Sequence, residues 1–422
     1  MTRDASGRTM LWGYLVAVAI SITGTRVSMI AIPWLVLTTT GSPVKTGLVA
    51  FAEMAPLVAA QVLSGPLTDR IGARRMAVSC SAASTVVVGM IPVLHLAGLL
   101  SFPVLLGMVA VAGALRGPGD AAGHALIPAV VERTGSATER VTGLSGAVER
   151  TASMVGAAVA GGLVALVGPA NALLVDAASF ALAGAVLWWA TRGIPTPKRQ
   201  VPEVGEATSS YLGELRDGWN FMRKDQVLMG IGVMVAITNL LDQAWSSVLV
   251  PVWARDSGYG VAAVGLLGAT FGAAAILGSV VAATYGERLP RFKVYLVGFF
   301  IGGVPRFVAL AVGAPLWVVL VVGFVGGCGS GFLNPILGAV LFERIPKPLM
   351  GRVSSMNIAM SWSLIPFGGL LGGLAVTAIG LSPALFAIGT AYFLTTMLPA
   401  VQPRWREIEK RTPLAERESV SA

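Results

Sequence analysis

Charge is what this sequence has least of. Only 12% of its 422 residues are charged, against roughly 25% in ordinary soluble domains, and that scarcity excludes a soluble globular chain. Cysteine and histidine are almost absent. Cys80 and Cys328 both fall in apolar blocks and make no disulfide framework, and no spacing of Cys and His ligands for a metal is present. There is no Walker A loop, nucleotide fingerprint, nucleophile elbow or zinc motif. An enzyme, a cofactor and ATP-driven work in this chain are therefore not expected. The short alternating segments of a porin-like barrel are missing too. The apolar run that begins at the N-terminus continues to about Leu37, too long for a cleaved secretory signal, so it reads as an uncleaved first span.

Long apolar blocks are what the sequence does have, at 55% hydrophobic residues and a mean hydropathy of +0.76. A helical span needs about 20 apolar residues to cross a bilayer. The blocks predict an all-α polytopic membrane protein with twelve transmembrane helices near 10–37, 43–66, 76–99, 102–130, 141–168, 170–191, 226–254, 260–285, 292–313, 315–340, 352–379 and 381–401. Two six-helix halves, 1–191 and 226–401, are joined by a cytoplasmic linker at 192–225 and followed by a cytoplasmic tail at 402–422. The linker begins Pro-rich, then places Leu212, Leu215, Trp219 and Met222 at helical spacing, which predicts an amphipathic helix on the membrane surface.

The net charge of +9 is topogenic, with no nucleic-acid patch. Of 30 basic residues, 24 fall in the two terminal segments and the loops after the even-numbered spans. Lys45 and Arg255 alone lie on the opposite side, so both termini are expected to be cytoplasmic, in the inner membrane of a cell. An internal repeat crosses the linker: "TDRIGARR" after the second block and "GERLPRFK" after the eighth put Asp69 and Glu287 218 positions apart. Two halves with matching loops are the pattern of a parallel-repeat transporter whose site lies between them at mid-depth.

The loop "GPLTDRIGARR", Gly65 to Arg75, resembles the glycine–acid–basic motif of the major facilitator superfamily. "RVSMIAIPWLVL", "DAASF", "ELRDGWNF", "FLNP" and "IPKPLMGRVSSM" extend the likeness over nearly the whole chain to its drug-efflux branch of macrolide-exporter and Tap-type pumps. The resemblance implies alternating access and export of drug-like molecules against protons. The chain departs from the branch at two places: Thr25 and Arg26 stand where Gly-Asp is common, and Ala157 stands where the fifth span's antiporter motif has proline. In the loop, Gly65 and Gly72 allow tight turns. Asp69 can accept hydrogen bonds from a helix N-terminus or pair with a base, and Arg70, Arg74 and Arg75 can pair with acids, so the six residues read as a cytoplasmic gate. Arg74 and Arg75 serve equally well as plain orientation signals.

Nine charges fall inside spans: Glu53, Asp120, Glu149, Asp176, Asp242, Arg26, Arg116, Arg150 and Arg306. Such residues face the bundle interior or a wet cavity and are either functional or helix-stapling pairs. Glu53 shares a small, polar stripe with Thr46, Ala60 and Ser64 and is the expected proton or cation site. Arg26, in the neighbouring first span, is its expected partner. Asp242, with Thr238, Asn239, Trp245 and Ser246 on its face, is the cavity counterpart in the second half. Arg116 and Asp120 are spaced to pair within one helix, Glu149 is within reach of Arg116, and Arg306 has no evident partner. Asp176, in the "DAASF" signature, reads as a packing residue.

Together these readings describe a monomeric secondary transporter of the inner membrane. It exports an amphipathic small molecule in exchange for protons, with the lipid bilayer as its only other partner. Two other readings fit the composition: a metabolite or siderophore transporter whose arginines bind an anionic substrate, and a non-transporting receptor or scaffold.

Overall fold

The structure is a computed structural model, which describes residues 2–193, 211–346 and 349–409. Met1, the Pro-rich part of the linker at 194–210, Lys347, Pro348 and the tail at 410–422 lie outside the described residues. Among those described, the chain is all-helical, and twelve helical stretches are long and apolar enough to cross a membrane. They run Gly7–Thr40, Pro43–Leu63, Ala73–Leu96, Phe102–Thr134, Thr138–Val167, Pro169–Ala190, Gln226–Asp256, Gly260–Tyr285, Arg291–Ala311, Leu316–Arg344, Met350–Ile379 and Leu381–Pro399. They are called spans 1 to 12 below.

Local sequence explains the ends and the breaks. Span 2 starts where Ser42 accepts a hydrogen bond from the Lys45 amide and Pro43 occupies the first turn, where its missing N–H costs nothing. It stops at Leu63, and the motif that follows forms its own short helix, Gly65–Ile71, ended by Gly72 at φ 90°. That angle is open to glycine and strained for residues with a Cβ. Span 7 is less regular than its hydropathy suggests. It is α-helical over Gln226–Ala244, widens into a π-helical turn over Trp245–Leu249, and resumes as Val250–Asp256. Span 11 likewise comes in two pieces, Met350–Trp362 and Ile365–Ile379.

Packing divides the residues into two compact units. One holds Met1–Val201, Ala244–Ala269 and Gly369–Thr377; the other holds Pro202–Gln243, Thr270–Gly368 and Ala378–Ala422. In the first unit, span 1 packs on spans 5 and 6, span 2 on span 4, and span 3 on spans 4 and 6. In the second, span 9 packs on spans 10 and 12, repeating the arrangement around span 3.

Lipid tails are as apolar as leucine, so helices in a membrane associate by close van der Waals fit, which small residues permit. Gly113 and Gly117 of span 4 stand one turn apart, and a Cβ there would lie 2.1 Å from the Glu53 carbonyl oxygen and 2.4 Å from that of Leu57. Gly327 and Gly331 of span 10 have the same spacing and meet span 8 backbone in the same way, at the Phe271 and Ala275 carbonyls. The repeat seen in the loops thus extends to a glycine pair in each half. Two further contacts of this kind join later segments of the first unit to its early spans: Gly161 with Gly265, and Gly47 with the Gly369 carbonyl.

The amphipathic helix forms over Tyr211–Met222. It docks on protein as well as facing outward: Trp219 is exposed, Met222 is fully buried, and Gly218 rests against the Arg352 backbone of span 11. Asp217 accepts a hydrogen bond from Arg352 at 3.0 Å. The short 3-10 segment Pro403–Glu409 closes the same unit. Its Trp405 and Ile408 are buried, Trp405 against Gly230 and Tyr295; Glu409 accepts from the Arg291 and Phe292 amides at the start of span 9, and Glu407 takes Arg344, which also binds Asp225.

Two stability outcomes follow. Gly113→Ala forces spans 2 and 4 apart and costs about 1–3 kcal/mol, as overpacking typically does, while Gly107→Ala on the same span, with open space around it, is neutral or mildly stabilising. Trp405→Ala costs about 3–5 kcal/mol, while Trp317→Ala, at a site 68% exposed, costs little. Thermal unfolding of the detergent-purified protein, followed by size-exclusion fluorescence, checks both contrasts.

Candidate functional site

The buried charges sort into separate sites, one group in each compact unit. In the first unit the close approach of Gly113 to the Glu53 backbone brings Arg116, one turn along span 4, to the Glu53 side chain. Arg116 Nη1 donates to Glu53 Oε1 at 2.8 Å, with side-chain exposures of 15% and 8%. Hydrocarbon on either side leaves this pair little screening, so each charge depends on the other. Asp120 Oδ2 stands 3.9 Å from Arg116 Nε, beyond hydrogen-bond length, and Nε has no hydrogen-bond acceptor. The spacing of Arg116 and Asp120 therefore brings them together within one helix, at the outer limit of an ion pair.

Arg26 is not the partner of Glu53. Spans 1 and 2 are consecutive in the chain, yet span 2 lays its acidic face on span 4. Arg26 turns to span 5, where Nη2 donates to Ser153 Oγ at 3.0 Å and Nη1 lies 3.7 Å from the Met29 sulfur. Glu149 does not reach Arg116 either. It accepts from Ser145 Oγ at 3.2 Å and lies at the same distance from His124 Nε2.

Asp176 is fully buried and accepts hydrogen bonds from Ser28 of span 1 and from Ser179 one turn along its own helix. Gly24 makes room for it: a Cβ there would lie 1.7 Å from Ser179 Oγ and 2.5 Å from Asp176 Oδ1. Asp176 thus ties span 6 to span 1, a packing role in keeping with the sequence reading, and the serines are its partners. The signal for them was the i,i+3 spacing of Asp176 and Ser179.

The second unit contains the pair Asp242–Arg306, which joins span 7 to span 9. Arg306 is nearly buried and also lies over two rings, 4.9 Å from the Phe307 centroid and 5.1 Å from that of Tyr392. Aromatic faces attract a guanidinium and shed little water in doing so. Asp242 keeps 42% of its side chain exposed, so it can meet a further ligand. It stands three residues before the π-helical turn at Trp245, a geometry that recurs at functional positions. Asn239, one turn earlier, donates to the Ser361 carbonyl at 2.9 Å.

In the loop motif, Arg74 binds the Thr191 hydroxyl and the Trp188 carbonyl at the end of span 6. Gly65, Asp69, Arg70 and Arg75 are exposed and Gly72 is buried. In this conformation Asp69 and Arg70 enter no ion pair among the described residues. The corresponding loop of the second half is tied more firmly, with Arg291 bidentate on Glu343 at 2.6 and 2.8 Å.

Comparison with known proteins agrees with this architecture. The chain is similar to the multidrug efflux pump Tap of Mycobacterium tuberculosis (strain ATCC 25618 / H37Rv), 27% identical over 398 residues and 94% of each chain. It is also similar to the multidrug efflux pump Tap of Mycolicibacterium fortuitum, 27% identical over 425 residues, 97% of this chain and 99% of that one. Among solved structures, a mutant of the nucleoside transporter NupG superposes with a TM-score of 0.73 over 95% of this chain and 100% of its own, at 14% identity. The model of the Major Facilitator Superfamily matches residues 14–241 and again 232–420. Twelve spans, a repeated glycine-mediated packing and two matches that between them cover nearly all of the chain establish that this protein is a transporter, not an enzyme, and that it belongs to the major facilitator superfamily.

Proposed function

We propose that the chain exports amphipathic small molecules in exchange for protons by alternating access, with the Glu53–Arg116 pair as the place where proton binding is felt. The observation that carries this reading is an acid at 6% exposure in the middle of a span, held by one guanidinium across a glycine-tight helix contact. The multidrug efflux relatives support the cargo class.

The coupling works through charge balance. While Glu53 is ionised, it offsets the Arg116 charge and pins spans 2 and 4 together. When a proton binds Glu53, the carboxyl can no longer compensate the guanidinium. Arg116 then has Asp120 at 3.9 Å and no other carboxylate within reach among the described residues. Breaking a buried pair in this one-sided way typically costs about 3–5 kcal/mol, enough to favour a different packing of the two spans. The charged groups near Glu53 are Arg116 on span 4, with Asp120 one turn further along, and Asp176 on span 6. Arg116 is the one in contact. The sign is therefore that the paired state is favoured at higher pH and weakened as pH falls.

Asp242, half open beside Arg306 and Tyr392, is the proposed cargo contact of the second half. Asp69, Arg70, Arg74 and Arg75, with Gly65 and Gly72, form the proposed cytoplasmic gate, and the basic loops put both termini in the cytoplasm of a cell whose inner membrane holds the protein as a monomer.

In proteoliposomes, Glu53→Gln is expected to bind cargo and move it downhill but to lose proton-driven accumulation by at least about tenfold, the equivalent of about 1.4 kcal/mol. Substrate-induced pH changes inside the vesicles supply the readout. An unchanged pH dependence in Glu53→Gln removes Glu53 from coupling. If no proton gradient drives the wild-type protein, the antiport reading falls.

A further inference from the structure

Arg26 stands near the midpoint of span 1, Gly7–Thr40, as far from either membrane surface as the span allows. It stays charged at any pH the protein meets, and an intramembrane charge normally has a counter-charge. The buried acids of its own unit have other partners, and neither Asp120, 3.9 Å from Arg116, nor Glu149, beside Ser145 and His124, forms an ion pair with it. Glu53 holds Arg116 at 2.8 Å. Asp176 is occupied by Ser28 and Ser179. It also faces the other side of span 1, because Gly24 and Ser28 share one face and Arg26, two residues from each, points roughly 200° away around the helix.

What Arg26 does have is weak. Ser153 is a neutral acceptor, the Met29 sulfur is a poor one, and Nε is buried with no hydrogen-bond partner. No ion pair involves it among the described residues, within the 4.0 Å that defines one. Arg116 is within electrostatic reach and adds a second positive charge beside Arg26, while the acids nearest Arg116, Glu53 and Asp120, form their ion pairs with Arg116 and not with Arg26. The side chain is only partly covered. An uncompensated guanidinium facing lipid tails would be prohibitively costly, so its open side faces water inside the bundle. Cargo arrives by such a path.

We propose that Arg26 is an anion-binding site and that the molecules this protein exports carry an anionic group, a carboxylate in the first instance, on an amphipathic body. The planar guanidinium offers two parallel N–H donors to the two oxygens of a carboxylate, and the present acceptors of its Nη1 and Nη2, a thioether sulfur and a serine hydroxyl, are both neutral. The inference rests on the export reading above for the word cargo, and on the geometry alone for the anion site. A free chloride ion is the other source of the same negative charge.

Two probes with one body separate these cases: a rhodamine with a free carboxylic acid and its methyl ester. Binding to the full-length protein in detergent is read by fluorescence polarisation, and transport by uptake into proteoliposomes under a proton gradient. The wild type is expected to bind the free acid about tenfold more tightly than the ester, the scale of one charge-assisted hydrogen-bond pair. Arg26→Gln should lose that preference, and Arg26→Lys, which keeps the charge without the fork, should retain part of it. A purely structural Arg26 would weaken both probes equally in Arg26→Gln, and that result overturns the proposal. So does a chloride site, in which replacing chloride by gluconate abolishes binding of both probes in the wild type but not in Arg26→Gln. If neither probe is transported while the charge preference in binding holds, the anion site stands and the export reading fails.

Discussion

An ionised group at the depth of a membrane normally pairs with a counter-charge within the protein, and much of the polar interior follows from that constraint. Glu53 and Arg116 meet where spans 2 and 4 touch, and each offsets the other's charge. Asp242 and Arg306 meet for the same reason, with Phe307 and Tyr392 supplying the remaining faces around the guanidinium. Each pair joins two different spans, so each acts as a tether as well as a charge balance. Each also lies wholly within one compact unit, so neither pair is divided between the two.

The tethers depend on features that carry no charge at all. Arg116 reaches Glu53 because Gly113 and Gly117 let two backbones touch. Span 10 uses Gly327 and Gly331 against span 8 in the same register, although no acid–base pair accompanies the contact there. The duplicated element is therefore the glycine packing, and the charge pair is an addition made in one half. This separation accounts for how the two halves keep a common frame while their polar residues diverge.

The spans were legible in the sequence because hydropathy reports burial in lipid directly, one block at a time. Partnerships were legible only in part. The i,i+4 spacing of Arg116 and Asp120 gave their proximity, since that geometry is local to one helix. The partner of Glu53 was not so accessible: its periodic stripe identifies the face that packs and says nothing about which helix covers it. Adjacency in the chain pointed to Arg26, whereas the small-residue pair at Gly113 and Gly117, two residues of the same span as Arg116, was the better guide. The π-helical turn at Trp245–Leu249 left no mark on hydropathy, because an extra residue in a turn changes neither length nor composition. The docking of Trp405, Glu407 and Glu409 was hidden for a different reason. A short polar segment after the last span has the composition of a tail, and only the three-dimensional positions of Arg291 and Arg344 make it a clasp.

That clasp has a consequence for biogenesis. Residues 403–409 cap span 9 and hold Arg344 at the end of span 10, so spans inserted much earlier wait for a segment synthesised after all of them. Domains in general form as their chain emerges. Here the second unit cannot complete this end until ribosomal synthesis has passed the twelfth span, and during that interval the amides of Arg291 and Phe292 lack their carboxylate acceptor. The segment is therefore the last fastening of the second unit to be made, after every span that it holds.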